Sequence, residues 1–218
     1  MNKTIIVMTK VPLAGTVKTR LQPFLSAKQS ATLAECFLLD TISKVELSEN
    51  NLMIAYSPVE KLNALSAILP ECENFFGQTG ATLGERMFNA FEFAFRENSD
   101  AVVMIGTDSP TLPAEFIRQA FGELKRSDAV LGATADGGFY LIGLRKSRRE
   151  IFERVAWSSP QTFEQTARNI EKLNLKLALL PVWYDVDTPE DFERLKKDLF
   201  ENPKLAPRTF EFMRKFSA

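Results

Sequence analysis

Short runs of β-branched and apolar residues alternate along this chain with longer stretches whose apolar positions recur every three or four residues. Residues 4–9, 52–56, 101–106, 129–133 and 139–144 read as strands. Between them, Ser26-Ala27-Lys28-Gln29 has the pattern of a capping box and opens a helix with apolar Leu33, Phe37, Leu38 and Val45 at helical spacing. A second helix follows Gly84-Glu85-Arg86, with Met87, Phe88, Phe91 and Phe95 on one stripe. The stripe reads as core, since burying each such side chain stabilises by about 1.5–3 kcal/mol. Helices are also expected over 160–173 and 188–200. The latter opens with a capping threonine, a proline at the first position and acids in the first turn (Thr188-Pro189-Glu190-Asp191). Strands alternating with helices predict βαβ units around a mostly parallel sheet.

Size adds that residues 1–200 suffice for one domain with a sizeable core, since 45% of the 218 residues are hydrophobic. The remaining 201–218 form a tail, expected to be helical, whose Phe210, Phe212, Met213 and Phe216 can dock on the body or on another subunit. That leaves a homodimer open. With 27 Lys plus Arg against 28 Asp plus Glu, the net charge of −1 supplies no general field for nucleic acid or an anionic membrane. An anionic ligand must therefore be caught locally. The apolar run Ile5-Ile6-Val7-Met8 is too short for a signal segment, and no run is long enough for a membrane span. Cys36 and Cys72 make neither a disulfide framework nor a zinc site, which fits a reducing, cytoplasmic setting. The absence of histidine excludes imidazole bases, imidazole ligands and Ser-His or Cys-His triads. Any metal must rest on oxygen ligands.

The candidate chemistry gathers where strands end, which is the ligand edge of an open α/β sheet. After the first strand come Lys10, Gly15, Lys18, Thr19 and Arg20. Gly15 would let the backbone approach a phosphate, and the cations would supply charge-assisted hydrogen bonds. The spacing is neither a Walker A loop nor GxGxxG. Asp108 follows the apolar run 102–105 and is the best metal-ligand candidate. A hard cation would need a partner carboxylate, which Asp185 and Asp187 offer on one side of an extended segment. Asp136-Gly137-Gly138 reads as a tight hairpin turn in which the glycines admit an acceptor and Asp136 binds a hydroxyl or acts as base. Gly84 and Arg86 stand at a helix N-terminus suited to an anion or polar group. Each segment also has a plain structural reading: a solvated loop, a turn aspartate, a helix cap, a bare turn.

Taken in order, these segments resemble the DUF2064 family, bacterial proteins placed in the GT-A glycosyltransferase superfamily and labelled selenodomain-associated transferase 1. The resemblance runs from about residue 4 to about 195. It rests on Pro12, Gly15 and Lys18-Thr19-Arg20-Leu21, on Leu83-Gly84-Glu85-Arg86-Met87, on the segments 106–113 and 136–144, on Trp157-Ser158-Ser159, and on Asp185-Val186-Asp187-Thr188-Pro189-Glu190-Asp191. It implies a Rossmann-like nucleotide-diphospho-sugar transferase fold, with a mostly parallel mixed sheet and helices on both faces. It also implies a metal at the carboxylate ending the central strand and a nucleotide base over residues 8–20.

The expected activity is transfer from a nucleotide-sugar to a small-molecule acceptor. Asp108 with Asp187 or Asp185 would hold Mg²⁺ or Mn²⁺, Lys18 and Arg20 would steady the phosphates, and Asp136 would face the acceptor. The alternative is a nucleotidyltransferase that attacks an NTP and releases pyrophosphate. A third reading is a nucleotide-binding protein without turnover.

Overall fold

The computed structural model describes residues 2–22, 24–46 and 50–216. Among these residues seven strands form one sheet: β1 Lys3–Lys10, β2 Asn51–Ser57, β3 Phe75–Gly77, β4 Ala101–Ile105, β5 Ala129–Thr134, β6 Phe139–Leu144 and β7 Leu177–Trp183. Their order is β3-β2-β1-β4-β6-β5-β7, and β6 alone runs antiparallel to its neighbours β4 and β5. All five strands expected from the sequence are present. The two strands at the sheet edges, β3 and β7, are not among those the sequence predicts.

The helices are α1 Ala27–Glu46, α2 Leu62–Ile68, α3 Leu83–Arg96, α4 Ala114–Glu123, α5 Thr162–Lys172, α6 Pro189–Glu201 and α7 Pro207–Phe216. α1 opens on the expected capping box: Ser26 N donates to Gln29 Oε1 at 2.8 Å and Gln29 N to Ser26 Oγ at 3.3 Å. α6 opens on another, in which Asp191 N donates to Thr188 Oγ1 and Thr188 N to Asp191 Oδ2. None of these helices is long and apolar enough to cross a membrane.

The central strands carry continuous apolar runs, Ile5 to Met8 in β1 and all of β4, because both faces are covered. Ile5, Val7, Val103 and Ile105 pack with Leu38 and Ile42 of α1 and with Ile117 and Phe121 of α4. Ile6, Val102 and Met104 face the other way, onto Met87 and Phe91 of α3 and Ile170 of α5. The aromatic stripe of α3 is therefore core, as its spacing predicts.

A third cluster joins Leu33 and Phe37 of α1 to Leu195 and Leu199 of α6 and Met213 of α7, with Phe210 and Phe212 packed against it. The tail thus docks on the body of its own chain. The side chain of Phe216 and residues 217–218 lie outside the described residues, as does Met1. What fixes α7 is a fully buried carboxylate at its N-terminus. Asp40 accepts from Arg208 N at 3.0 Å, Thr209 N at 2.9 Å and Thr209 Oγ1 at 2.7 Å. One turn further along α1, the ammonium of Lys44 donates to the carbonyl of Pro110, in the loop that follows β4.

Asp40→Ala strands the buried donors of Thr209, so we expect a loss of about 2 kcal/mol or more in urea unfolding. Hydrogen exchange at the amides of Arg208 and Thr209 should accelerate selectively.

Burial lowers the ammonium of Lys44 to about 8, against the opposing pull of Asp40. Between that value and its ordinary 10.5 the unfolded chain binds more protons at this site than the folded one. The Lys44 contribution to stability should therefore rise with pH across that window. Urea unfolding of wild type and Lys44→Met from pH 7.5 to 10.5 checks the sign through the difference between the two proteins.

Candidate active site

From β1 the chain builds outward through β2 to β3, then returns to lay β4 on the opposite side of β1. The connections leaving β1 and β4 therefore part at their C-terminal ends, which opens a crevice there. It is a cleft of about 780 Å³. Of the residues singled out in the sequence, Lys10, Lys18, Thr19, Arg20, Arg86, Asp108, Asp136, Gly138, Asp185 and Asp187 line it.

The loop after β1 turns at Gly15, whose φ of +82° is one that L side chains rarely adopt, and Thr16 N closes the turn on Leu13 O at 3.1 Å. It delivers Lys18 in a left-handed conformation at φ 48°. The Lys18 side chain then runs inward, with its Nζ 5.1 Å from the ring centre of Phe37. An ammonium has three N–H donors, and here all three have acceptors. One goes to Asp108 Oδ1, one to Val186 O at 2.7 Å and one to Asp187 Oδ1 at 3.1 Å. The Lys18 side chain is only 5% exposed, whereas those of Asp108 and Asp187 are 49% and 41% exposed. Burial alone would lower its pKa, but the charges of Asp108 and Asp187 outweigh that and hold it above the ordinary lysine value. In this arrangement Lys18 has no donor left for a phosphate.

Asp108 stands three residues past the end of β4, and its carbonyl accepts from Val186 N at 2.8 Å, which ties the 184–187 segment to the end of that strand. Asp185 accepts from the hydroxyl of Ser109. Burial, reinforced by Asp108, pushes the Asp185 carboxyl up to about 7. The expected pair of carboxylates on one extended segment thus reaches the cleft with unlike surroundings.

Asp136, which also lines the cleft, sits in the β5–β6 hairpin. One of its oxygens, Oδ1, accepts from Thr134 Oγ1 at 2.5 Å and Gly138 N at 3.1 Å, which fixes the carboxylate. Gly137 does not line the cleft. It has φ +90°, and a Cβ there would stand 2.1 Å from Pro160 O. Its carbonyl accepts from Phe163 N at 2.9 Å. It therefore clamps the hairpin to the 157–162 loop, which brings Ser158, Ser159 and Thr162 to the rim of the cleft. Gly84 is likewise buried packing rather than cleft lining, since a Cβ would meet the indole of Trp157 at 2.6 Å.

Sequence reasoning missed Gln78, just beyond β3. Its Nε2 donates to Thr9 O at 3.2 Å and Ala55 O at 2.8 Å. Both neighbours are carbonyl acceptors, so the amide orientation is determined and the side-chain oxygen is left for other donors in the cleft. Nothing local marks this residue, because its partners come from two other strands.

Among the described residues no three His, Cys, Asp or Glu side chains form a group that could hold a metal. Asp108 and Asp187 fit the smaller demand of a hard cation bound by two carboxylates, with phosphate oxygens and water completing its shell.

The family model described as "Uncharacterized protein conserved in bacteria (DUF2064)" matches residues 41–159. The chain belongs to the DUF2064 family. A candidate nucleotide-diphospho-sugar transferase from Desulfovibrio desulfuricans G20 is 31% identical, with a TM-score of 0.92 over 99% of this chain and 95% of that one. The 4-diphosphocytidyl-2C-methyl-D-erythritol synthase of Anaerococcus prevotii DSM 20548 shares the fold at 14% identity, with a TM-score of 0.60 over 91% and 96% of the two chains. A cytidylyltransferase of Leptospira borgpetersenii serovar Hardjo-bovis does so at 14% identity and a TM-score of 0.57 over 94% and 97%. A search of curated proteins finds no match. The expected fold, that of nucleotide-diphospho-sugar transferases, is the fold of this DUF2064 chain.

Gly15 and Gly137, both at positive φ, should respond differently to alanine. Gly15→Ala meets no atom within 4 Å and carries only backbone strain, about 1 kcal/mol. Gly137→Ala adds a collision with the Pro160 carbonyl and should cost several times as much, which thermal and urea unfolding of the two variants would compare.

Proposed function

We propose that this protein is a transferase that binds a nucleotide-sugar in the cleft and passes the sugar to a small-molecule acceptor. The observation that carries this reading is what one cleft brings together: half-exposed Asp108 and Asp187, joined through Lys18, share it with Lys10 and Arg20 and with Asp136 of the β5–β6 hairpin. The 31% identical relative from Desulfovibrio desulfuricans supports the same class of donor.

In this reading the diphosphate lies between the 10–20 loop and the ends of β4 and β7. Asp108 and Asp187 would hold a divalent cation, Mg²⁺ or Mn²⁺, with Asp185 beside them. Such an ion supplies Lewis-acid stabilisation of the departing nucleoside diphosphate. Arg20 and Lys10 add charge-assisted hydrogen bonds to the phosphate oxygens. Asp136, with Oδ1 held by Thr134 and Gly138, turns its other oxygen to the acceptor hydroxyl and takes its proton as the oxygen attacks the anomeric carbon. The bond from that carbon to the diphosphate breaks, and the electron pair leaves with the nucleotide.

One observation favours a second reading, nucleotidyl transfer from an NTP. Lys10, Arg20 and Arg86 all line the same cleft, and three cations with a divalent ion suit a triphosphate better than a diphosphate. The acceptor would then attack the α-phosphate and pyrophosphate would leave.

Calorimetric titration with NDP-sugars and NTPs, with and without Mg²⁺, decides between these readings when joined to a pyrophosphate-release assay. Metal-dependent binding of an NDP-sugar without pyrophosphate release supports glycosyl transfer, and pyrophosphate release establishes the second reading. Binding without turnover of either class leaves a nucleotide-binding protein, and no binding at all overturns the proposal. Asp108→Asn should weaken metal-dependent nucleotide binding at least tenfold, about 1.4 kcal/mol, while leaving the fold intact.

A further inference from the structure

The arrangement of Lys18 is more than the phosphate-gripping cation that its loop suggests. Its three donors are filled by Asp108, Val186 and Asp187, and its side chain is almost wholly enclosed while both carboxylates remain half exposed. The Phe37 ring lies against it on the inner side. Each carboxylate gives Oδ1 to the ammonium, which leaves a second oxygen on each for a ligand.

We propose that Lys18 is a built-in counter-ion that competes with the divalent cation for Asp108 and Asp187, so that the cation is held only when it arrives with a polyphosphate. The inference rests on the reading that these two carboxylates bind a divalent cation. Two carboxylates carry two negative charges, and the ammonium permanently offsets one of them. A divalent cation arriving alone therefore meets a negative charge reduced by one unit, with Asp185 beside it, and a buried positive charge at close range. A cation already carrying phosphate oxygens brings the missing negative charge with it. Lys18 is thereby a positioning residue: it orients one oxygen of each carboxylate and sets the order in which the cation and the nucleotide are taken up.

The test is the affinity for Mn²⁺ alone, read from the free-ion EPR signal of the intact protein. Water-proton relaxation then separates protein-bound from nucleotide-bound Mn²⁺ in the presence of UDP, GDP or CTP. Wild type should bind Mn²⁺ at least tenfold more weakly alone than with the nucleotide it accepts. Lys18→Met and Lys18→Gln, which remove the charge and keep the length or polarity, should bind Mn²⁺ alone at least tenfold more tightly than wild type. Lys18→Arg, which keeps the charge, should not. A purely structural role predicts weaker or unchanged metal binding in the neutral variants, and a phosphate-contact role predicts weaker nucleotide binding with unchanged affinity for Mn²⁺ alone. Either result overturns the proposal. If the neutral variants do not fold, wild type still decides: Mn²⁺ held as tightly without nucleotide as with it overturns the inference. If wild type takes up Mn²⁺ under neither condition, the metal-dependent function fails and this inference with it. Uptake with nucleotide but no gain in the neutral variants sinks the inference alone.

Discussion

The cleft depends on one buried ammonium. Lys18, in the loop after β1, bonds to Asp108 and Asp187, which are 90 and 169 residues away in sequence. Sheet topology brings the three segments side by side, because β1 and β4 are neighbours and the chain leaving β7 is tied to Asp108 through Val186 N. Topology alone would set three carboxylates, those of Asp108, Asp185 and Asp187, against one another at the cleft floor, and like charges in partial burial repel strongly. Placing a cation among them makes the arrangement tolerable. It also explains why a lysine occupies a left-handed backbone position, where a residue with Cβ is strained: the bonds at the far end of its side chain offset that strain.

Helix α1 is the second support, and it acts through one face. Phe37, Asp40 and Lys44 are spaced by three and four residues, so their side chains lie in line along the helix. Phe37 packs beside the Lys18 ammonium, Asp40 holds the N-terminus of α7, and Lys44 bonds to the carbonyl of Pro110, two residues past Asp108. The C-terminal helix and the candidate site are thus mounted on the same twenty-residue helix. A disturbance in the docking of α7 has a short physical route to the loop that carries Asp108, through side chains one turn apart.

How much of this was legible in the sequence follows from where each signal resides. The long helices and the two-face-buried strands were readable, because burial imprints a period on α1, α3, α5 and α6 and a continuous apolar run on β1 and β4. β3 is only three residues long, and β7 is an edge strand containing Pro181, with Leu179 and Val182 left exposed. Neither carries a period that a sequence can show. Among the candidate site residues, the carboxylates and the cations of the first loop announce themselves by chemistry at strand ends. Their pairing does not: nothing in the sequence says that the Lys18 donors are filled, that Gly84 and Gly137 serve packing, or that Gln78 is anchored by two carbonyls of other strands. Those facts are tertiary, made by residues far apart in sequence.

The four carboxylates of the cleft have the same intrinsic chemistry, and their surroundings separate them. Asp185 is enclosed next to Asp108 and bonded by Ser109, which pushes it up to about 7 and leaves it the one most ready to keep a proton near neutrality. Asp108 and Asp187 instead each give one oxygen to a buried ammonium and keep close to half of the side chain exposed. Asp136 is exposed on the hairpin, with one oxygen committed to Thr134 and Gly138. Groups of one type whose environments push them apart are how a fold assigns different tasks to equivalent side chains. A lysine-bonded pair, an enclosed neighbour and an oriented, exposed carboxylate thereby line one cleft in a chain that has no histidine.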